Sequence, residues 1–436
     1  MPNEVKLGEL AIIESGYAFK SSDWTTDGNP VVKIKNVKDG HVSLEDCAYV
    51  SDEIAAKASK FLAYEGDILL SLTGYVGQVG RVEIGDVVLV NQRVGFVKPK
   101  DDGDKSFVYH LLRSLRKEVE ELGTGTAQAN VAPRDIMNLQ VPNLEPSFRR
   151  TIGVVLDSFD SRIGLNTKIS KTLDEIAQAV YKSWFIDFDP VKLKMNGERP
   201  VGMDDATAAL FPDSMENSEL GMVPTGWTVH KLGDVCSTAI GGLWGKDSES
   251  ADSPSPYRCI RGVDMDDLKH IGFAPRTPLR WDKAHNHERR SLNGLSILIA
   301  GSGAGPVGKS LLWDESMSGL FDGPVIYSNF VKRFECESRA IASFVSSVLS
   351  QMYSSGEMFI YVNGTSVPNL QDAELLNAKK IVLPSEGVLQ KFDSLIRLNA
   401  NLKFNGNNRT LAEIRDALLP RLISGELQIP EEMLVS

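Results

Sequence analysis

Cysteine is scarce, and the four present, Cys47, Cys236, Cys259 and Cys336, are scattered. None forms a CxxC pair, which argues against a zinc knuckle or a disulfide framework and fits a reducing cytoplasm. No stretch approaches the roughly 20 uninterrupted apolar residues of a membrane helix. The opening MPNEVKLGEL has no basic segment followed by an apolar core, so no secretion signal is expected. A surplus of positive charge is also missing: 47 Lys and Arg against 58 Asp and Glu leave a net charge of −11. That balance argues against a simple nucleic-acid binder, because neutralising phosphates normally takes a basic surface. Two routes to such binding stay open: positive residues gathered on one face, or a partner that supplies much of the backbone contact. Signatures of catalysis are lacking too. There is no GxSxG elbow, no HExxH, no convincing paired Asp/Glu motif and no NPPY- or DPPY-like segment of an amino-methyltransferase; Asn29-Pro30 stands alone before a strand.

The 436 residues, 42% hydrophobic and 24% charged, are ordinary globular material and enough for two or three domains. They are organised as a repeat. Lys6-Leu7-Gly8-Glu9-Leu10 returns as Lys231-Leu232-Gly233-Asp234-Val235, and Ile34-Lys35-Asn36-Val37 as Ile260-Arg261-Gly262-Val263. Asp67-Ile68-Leu69-Leu70 pairs with Ser296-Ile297-Leu298-Ile299, and the glycine run Gly74 to Arg81 with Gly303 to Lys309. Gly125-Thr126 matches Gly364-Thr365, and Thr172-Leu173-Asp174-Glu175-Ile176 matches Thr410-Leu411-Ala412-Glu413-Ile414. The matches keep their order while the offset drifts slowly upward, as expected of a duplication with loop insertions.

Each copy opens with short apolar runs broken by Gly, Asp and Asn: Val31 to Ile34, Asp67 to Leu72, Val87 to Val90, Gly95 to Val97. These are strand and turn signals. Each copy closes with a helical pattern. Ile152, Val155, Phe159, Ile163, Asn166, Ile169, Leu173, Ile176 and Val180 step by threes and fours, and no proline interrupts Phe148 to Asp189. The second helix runs through Phe392, Leu395, Leu398, Leu402, Leu411, Ile414 and Leu418, with helix expected to falter at Asn405-Gly406-Asn407-Asn408. Two apolar stripes need cover, and packing them on each other as a coiled coil is the simplest solution. A helix of ~35 residues is roughly 50 Å long. Laid antiparallel, the pair would hold two modules apart on the scale of a DNA turn of about 34 Å. The alternative is that each helix only covers its own β module. The stretch from Pro190 to Pro224 reads as a linker with little structure of its own.

Residues 303–310 satisfy GxxxxGK[ST], ending in Gly308-Lys309-Ser310. A phosphate-binding loop of this kind needs a helix to begin at the lysine. Here Leu311-Leu312-Trp313-Asp314 reads as a short strand and a turn, and the first copy has Gly80-Arg81-Val82 at this place. A glycine-rich hairpin explains both copies. His285 and His287, beside Arg289 and Arg290, read as a solvated basic loop rather than a metal site.

The segment Gly221-Met222-Val223-Pro224-Thr225-Gly226-Trp227, followed by Lys231-Leu232-Gly233-Asp234, resembles the module start of the specificity (S) subunit of type I restriction–modification enzymes. Leu173 to Pro190, with Trp184-Phe185, and Leu411 to Leu427, with Ser424-Gly425, resemble that family's helix ends. The first copy departs from the pattern, beginning at Lys6-Leu7-Gly8 without the Pro-x-Gly-Trp lead. The resemblance implies an α+β chain: two mostly β target-recognition domains, each followed by a long helix, the helices packed as an antiparallel coiled coil with a pseudo-two-fold repeat. The expected divisions are 1–147 and 221–388 for the recognition domains, 148–189 and 389–430 for the spacer helices, and 190–220 for the linker. It implies a non-catalytic subunit that reads a bipartite, asymmetric site in double-stranded DNA. Two methyltransferase (M) subunits would dock on the helices and motor/nuclease (R) subunits would join them. S-adenosylmethionine and ATP would bind to those partners, not to this chain, with no metal and no membrane involved. The rivals are a coiled-coil scaffold whose β modules bind protein or glycan, and a nucleotide-binding protein using Lys309.

Reading bases takes side chains able to make paired hydrogen bonds, Arg or Lys to guanine and Asn or Gln to adenine, carried on loops held by a rigid sheet. In the first module Lys20, Lys33, Lys35, Thr73, Tyr75, Gln78, Arg81, Gln92 and Arg93 are the candidates. In the second they are Arg258, Arg261, Arg289, Arg290, Ser302, Lys309 and Asn363. Helix packing is expected from Ile152, Val155, Phe159, Ile169, Leu173, Ile176 and Val180 against Leu395, Leu398, Leu402, Leu411, Ile414 and Leu418.

Overall fold

The computed structural model describes residues 4–83, 85–123, 129–303, 307–364, 366–404, 407–424, 426–427, 429–430 and 432. The glycine-rich matches at Gly125-Thr126 and Thr365, and Asn405-Gly406, lie outside the described residues. The chain divides into two compact units, 1–162 with 411–436, and 163–410. Among the described residues no helix is long and apolar enough to cross a membrane.

Unit 1 carries β1 (Glu4–Lys6), β2 (Ala11–Ser15), β3 (Trp24–Thr25), β4 (Asn29–Val32), β5 (Gly40–His41), β6 (Ala48–Val50), β7 (Leu62–Tyr64), β8 (Ile68–Ser71), β9 (Val79–Arg81), β10 (Val87–Val90), β11 (Val94–Pro99) and β12 (Gln140–Pro142). They form sheets ordered β3-β6-β4-β10-β7 and β2-β11-β8-β9-β5, with β1 and β12 paired separately. The apolar runs that suggested strands hold β4, β8, β10 and β11, except that Ile34 falls beyond β4 in a 3-10 turn (Ile34–Asn36); Ile68, Leu69 and Leu70 are fully buried.

Unit 2 carries β13 (Met215–Ser218), β14 (Gly221–Pro224), β15 (Thr228–Lys231), β16 (Cys236–Thr238), β17 (Ser255–Ile260), β18 (Leu279–Asp282), β19 (Ser296–Ala300), β20 (Ser310–Leu312), β21 (Val325–Tyr327), β22 (Val331–Cys336), β23 (Val362–Asn363), β24 (Asn369–Leu370) and β25 (Lys380–Leu383). Their larger sheets are ordered β16-β22-β19-β20 and β18-β17-β21.

The duplication is written in the hydrogen bonds. β4 and β10 are parallel with Val32 opposite Val90, and β17 and β21 are parallel with Ile260 opposite Tyr327. Leu72 N donates to Arg93 O, and Gly301 N to Phe330 O. Thr73 bridges to Asn130, and Ser302 to Asn369. β1–β12 has its counterpart in β15–β25. Such a pattern follows from one ancestral frame, not from local propensity.

The central helix runs Pro146–Tyr181, and the C-terminal stretch forms two helices, Glu386–Phe404 and Asn407–Ile423. In unit 1, Ile152 and Leu156 share a core with Leu419 and Leu422, and Arg415 pairs with Asp160. In unit 2, Asn166 Nδ2 donates to Asn408 Oδ1 at 2.8 Å, Asn399 and Lys403 donate to Asp174 at 2.8 and 2.6 Å, and Tyr181 packs near Phe392. Within each unit the numbering rises on one helix as it falls on the other, so the pairing is antiparallel.

The seam differs from the expected stripe. Ile152 is buried, and Val155, Phe159, Leu173, Val180, Leu411 and Leu418 are half-buried. Ile169, Ile176, Leu395, Leu398, Leu402 and Ile414 are exposed. Ser170, Ala177, Asn399, Lys403, Asn408 and Ala412 are buried instead. Steps of three and four fit two adjacent faces of one helix; in unit 1 an apolar face still closes through Ile152, Leu156, Leu419 and Leu422, whereas in unit 2 small and polar residues such as Ser170, Ala177, Asn399 and Lys403 turn inward and Ile169, Ile176, Leu395, Leu398 and Leu402 stay open.

The segment 190–220 is also a correction. It holds helices Asp189–Met195 and Asp205–Ala209 and strand β13. Val191 and Phe211 are buried in one core with Trp184, Phe185 and Trp227. Met203 and Met215 pack against the same core, and Lys194 donates to Ala208 O and Phe211 O, so the segment is anchored along its length.

Candidate nucleic-acid interface

In unit 1 the parallel pair β4–β10 delivers a tight turn. Asn91 N donates to Val32 O at 3.1 Å and Val94 N to Asn91 O at 2.8 Å, which leaves Gln92 and Arg93 exposed at the tip. Gly16 runs beneath it; a Cβ there would lie 2.2 Å from Val90 O, so only glycine permits the approach. Beside the tip lies a cavity of about 400 Å³ lined by Phe19, Trp24, Lys33, Ile34, Lys35, Asn91, Gln92 and Arg93. Lys33 Nζ sits 3.6 Å over the Trp24 ring. Burial, and then the charge of Lys35, push the Lys33 ammonium below its ordinary pKa. Among the described residues no carboxylate forms an ion pair with Lys33, Lys35 or Arg93. Aromatic rings, amides and three cations without carboxylate partners among the described residues therefore meet at one cavity of an acidic chain.

Unit 2 repeats the frame with other side chains. Ser328 N donates to Ile260 O at 2.8 Å and Val331 N to Ser328 O at 3.0 Å, leaving Asn329 and Phe330 exposed at the tip. Gly242 takes the place of Gly16, with a Cβ 2.1 Å from Ser328 O. Arg261 follows β17 as Lys33 follows β4, but Asp264 grips its guanidinium at 2.8 and 2.9 Å. Asn36 stands where Asp264 does: each accepts from the backbone three residues before it, Asn36 Oδ1 from Lys33 N and Asp264 Oδ2 from Arg261 N.

The remaining candidates separate by their commitments. Lys20, Tyr75, Arg289 and Asn363 are exposed; Gln78, Arg258, Arg290 and Ser302 are half-buried. Arg258 donates to Thr277 O and Arg290 to Gly241 O. Thr73 is buried and donates to Asn130 Oδ1 at 2.7 Å. Four residues offered as readers are thus held internally: Thr73; Arg81, 2.7 Å from Asp157 and stacked 3.8 Å over Tyr109; Arg261; and Lys309, 3.0 Å from Asp266. Sequence gave their charge and loop position but not the carboxylates facing them. Ser310 is buried and opens strand β20, not a helix, so the described part of the glycine run is a hairpin. His287 is buried against Tyr257 at 4.9 Å between ring centres, which corrects the solvated-loop reading for that residue.

Phe19, Trp24, Asn91, Asn329 and Phe330 were missed. The signal for Asn329-Phe330 was present: Val325 to Tyr327 and Val331 onward are apolar runs around a short polar break, as in Val87 to Val90 and Val94 onward. A phenylalanine at the tip reads as core, which hid it.

A family model described as the type I restriction modification DNA specificity domain matches residues 3–175. The type I restriction enzyme MjaIX specificity subunit of Methanocaldococcus jannaschii is 24% identical over 404 residues, covering 88% of this chain and 82% of that protein. The HindI specificity subunit of Haemophilus influenzae is 24% identical over 339 residues, covering 67% and 69%. The crystal structure of the S subunit from M. genitalium aligns over 96% of this chain and 95% of that one, at 15% identity and a TM-score of 0.49. Residues 3–175 thus match the type I restriction modification DNA specificity domain, and the chain is similar over most of its length to curated specificity subunits of type I restriction enzymes.

Proposed function

We propose that this chain is the DNA sequence-specificity subunit of a type I restriction–modification complex, that unit 1 reads one half of a two-part asymmetric site, and that unit 2 reads the other. The observation that carries the reading is the duplicated frame, which presents one exposed turn per unit with different side chains at the tips. A scaffold gains nothing from holding the turn constant while varying its tip; a reader of two unlike half-sites does.

The subunit itself is non-catalytic in this reading, with S-adenosylmethionine and ATP bound by its partners. Methyltransferase subunits dock on the helices. Leu165, Ile169 and Ile176 on the central helix, and Leu395, Leu398 and Leu402 on the helix Glu386–Phe404, leave apolar surface exposed in unit 2, as docking sites do. The test is co-purification of the methyltransferase subunit with wild type and with Ile169→Glu/Leu398→Glu, followed by salt-dependent binding to duplex DNA. Loss of the partner with the thermal midpoint of the isolated chain unmoved supports the reading. A wild-type complex without sequence preference refutes it.

A further inference from the structure

We infer that the two tips select different base chemistry: the unit 1 turn requires a G·C pair through Arg93, and the unit 2 turn requires a T·A pair through Phe330 and Asn329. The inference rests on the proposed DNA-reading function and deepens it.

The argument is a comparison of equivalent positions. Val94 N closes on Asn91 O as Val331 N closes on Ser328 O, so Gln92 corresponds to Asn329 and Arg93 to Phe330. One turn thus ends in a guanidinium and the other in an exposed aromatic ring, 52% accessible. A guanidinium matches the two acceptors on the major-groove edge of guanine. An apolar side chain meets the thymine methyl, and an amide at the neighbouring position pairs with adenine.

The surroundings differ in the same sense. Lys33 and its counterpart Arg261 both flank the turn, each with its backbone N–H capped three residues on. In unit 1 that cap is Asn36, which is neutral and leaves Lys33 and Lys35 uncompensated. In unit 2 it is Asp264, fully buried, which takes both arms of Arg261. The Asn36/Asp264 difference therefore sets the charge of each site, and the Arg93/Phe330 difference sets what the tip recognises. A cationic tip beside the half-buried Trp24 and the uncompensated Lys33 and Lys35 favours an electron-rich guanine edge. A neutral tip with phenylalanine has no charged group to satisfy there and gains from burying a methyl.

The experiment uses the complex of the full chain with its methyltransferase subunit and reads the methylated-adenine motif by sequencing modified DNA. Arg93→Ala and Arg93→Lys are each expected to relax one G·C position by roughly tenfold to a hundredfold, in one half-site only. The lysine variant keeps the charge but loses the planar fork, so its relaxation assigns the effect to paired hydrogen bonding. Phe330→Ala is expected to relax a T·A position in the other half only. A variant complex that has stopped methylating is read by equilibrium binding to duplexes altered one pair at a time, with the same outcomes. Unchanged discrimination in the variants, relaxation at an A·T position by Arg93→Ala, or relaxation of both halves by one substitution would overturn the inference. A two-part wild-type motif that the variants leave intact defeats this inference alone. A wild-type complex with no two-part motif defeats the proposed function as well.

Discussion

Arg81 on β9 and Asp157 on the central helix meet at 2.7 Å inside unit 1. Asp157 also accepts from Ser106 and lies 2.8 Å from His110 Nε2, both on the helix Lys105–Ser114. Asp160, one turn on, holds Arg113 and Arg415. Three arginines and one histidine face two carboxylates, so this cluster fixes the helix against the sheet of unit 1 by charge-assisted hydrogen bonds.

Asp157→Asn should therefore destabilise unit 1 by about 2 kcal/mol, since it leaves a partly buried guanidinium without its counter-charge. Hydrogen exchange of amides in β9 and the helix Lys105–Ser114 reports the change. Exchange in unit 2 should not accelerate.

The same cluster gives unit 1 an acid sensitivity of definite sign. Burial pushes the Asp157 carboxyl upward, but the His110 hydrogen bond and the charge of Arg81 overcome it and hold the pKa at about 2. A carboxylate lowered in this way contributes stability that is present above its unfolded value of about 3.9 and lost as pH falls toward 2. His110 is pushed below its ordinary value by burial, with the Asp157 hydrogen bond opposing. The unfolded state then binds that proton more readily, so this share of stability is present above about pH 6.5 and declines below it. In urea titrations the gap between wild type and Asp157→Asn should close between pH 4 and 2. His110→Gln should remove the decline that starts near pH 6.5. A gap that widens on acidification would contradict the assignment.

Why was the frame legible and the site only partly so? Periodicity reports which residues form strands, and it placed Val87 to Val90 and Gly95 to Val97 correctly because burial on a sheet is a one-dimensional pattern. Lys33, Lys35, Gln92 and Arg93 were named from chemistry and do gather at one cavity. Arg81 and Lys309 share that chemistry but are paired with Asp157 and Asp266, residues 76 and 43 positions away in the chain. Such partners are set by tertiary contact, which no local window contains. The helix seam failed for a related reason: a period near 3.6 identifies a helix but not which of two neighbouring faces its partner covers.

Asp174 makes that seam testable. It accepts from Asn399 and Lys403, and the lysine side chain is only 5% exposed. Asp174→Ala should cost about 2–3 kcal/mol by stranding a buried ammonium, whereas Asp174→Leu with Lys403→Met should recover most of the loss. Denaturation of the single and double variants measures the coupling. A double variant as unstable as the single one would show that the pair acts through more than its charge.

Salt dependence separates grip from reading. Lys33 and Lys35 flank the unit 1 turn without carboxylate partners among the described residues, so they are free to neutralise phosphates. Lys33→Gln/Lys35→Gln should weaken DNA binding by the complex to a similar degree on every sequence and reduce the slope of log K against log salt by about 2. Arg261→Gln should move the slope by less than 1, because Asp264 already neutralises that guanidinium. Equal slope changes from the two sites would mean that the buried Asp264 does not silence its arginine in the complex, and the charge asymmetry between the units would then lose its physical basis.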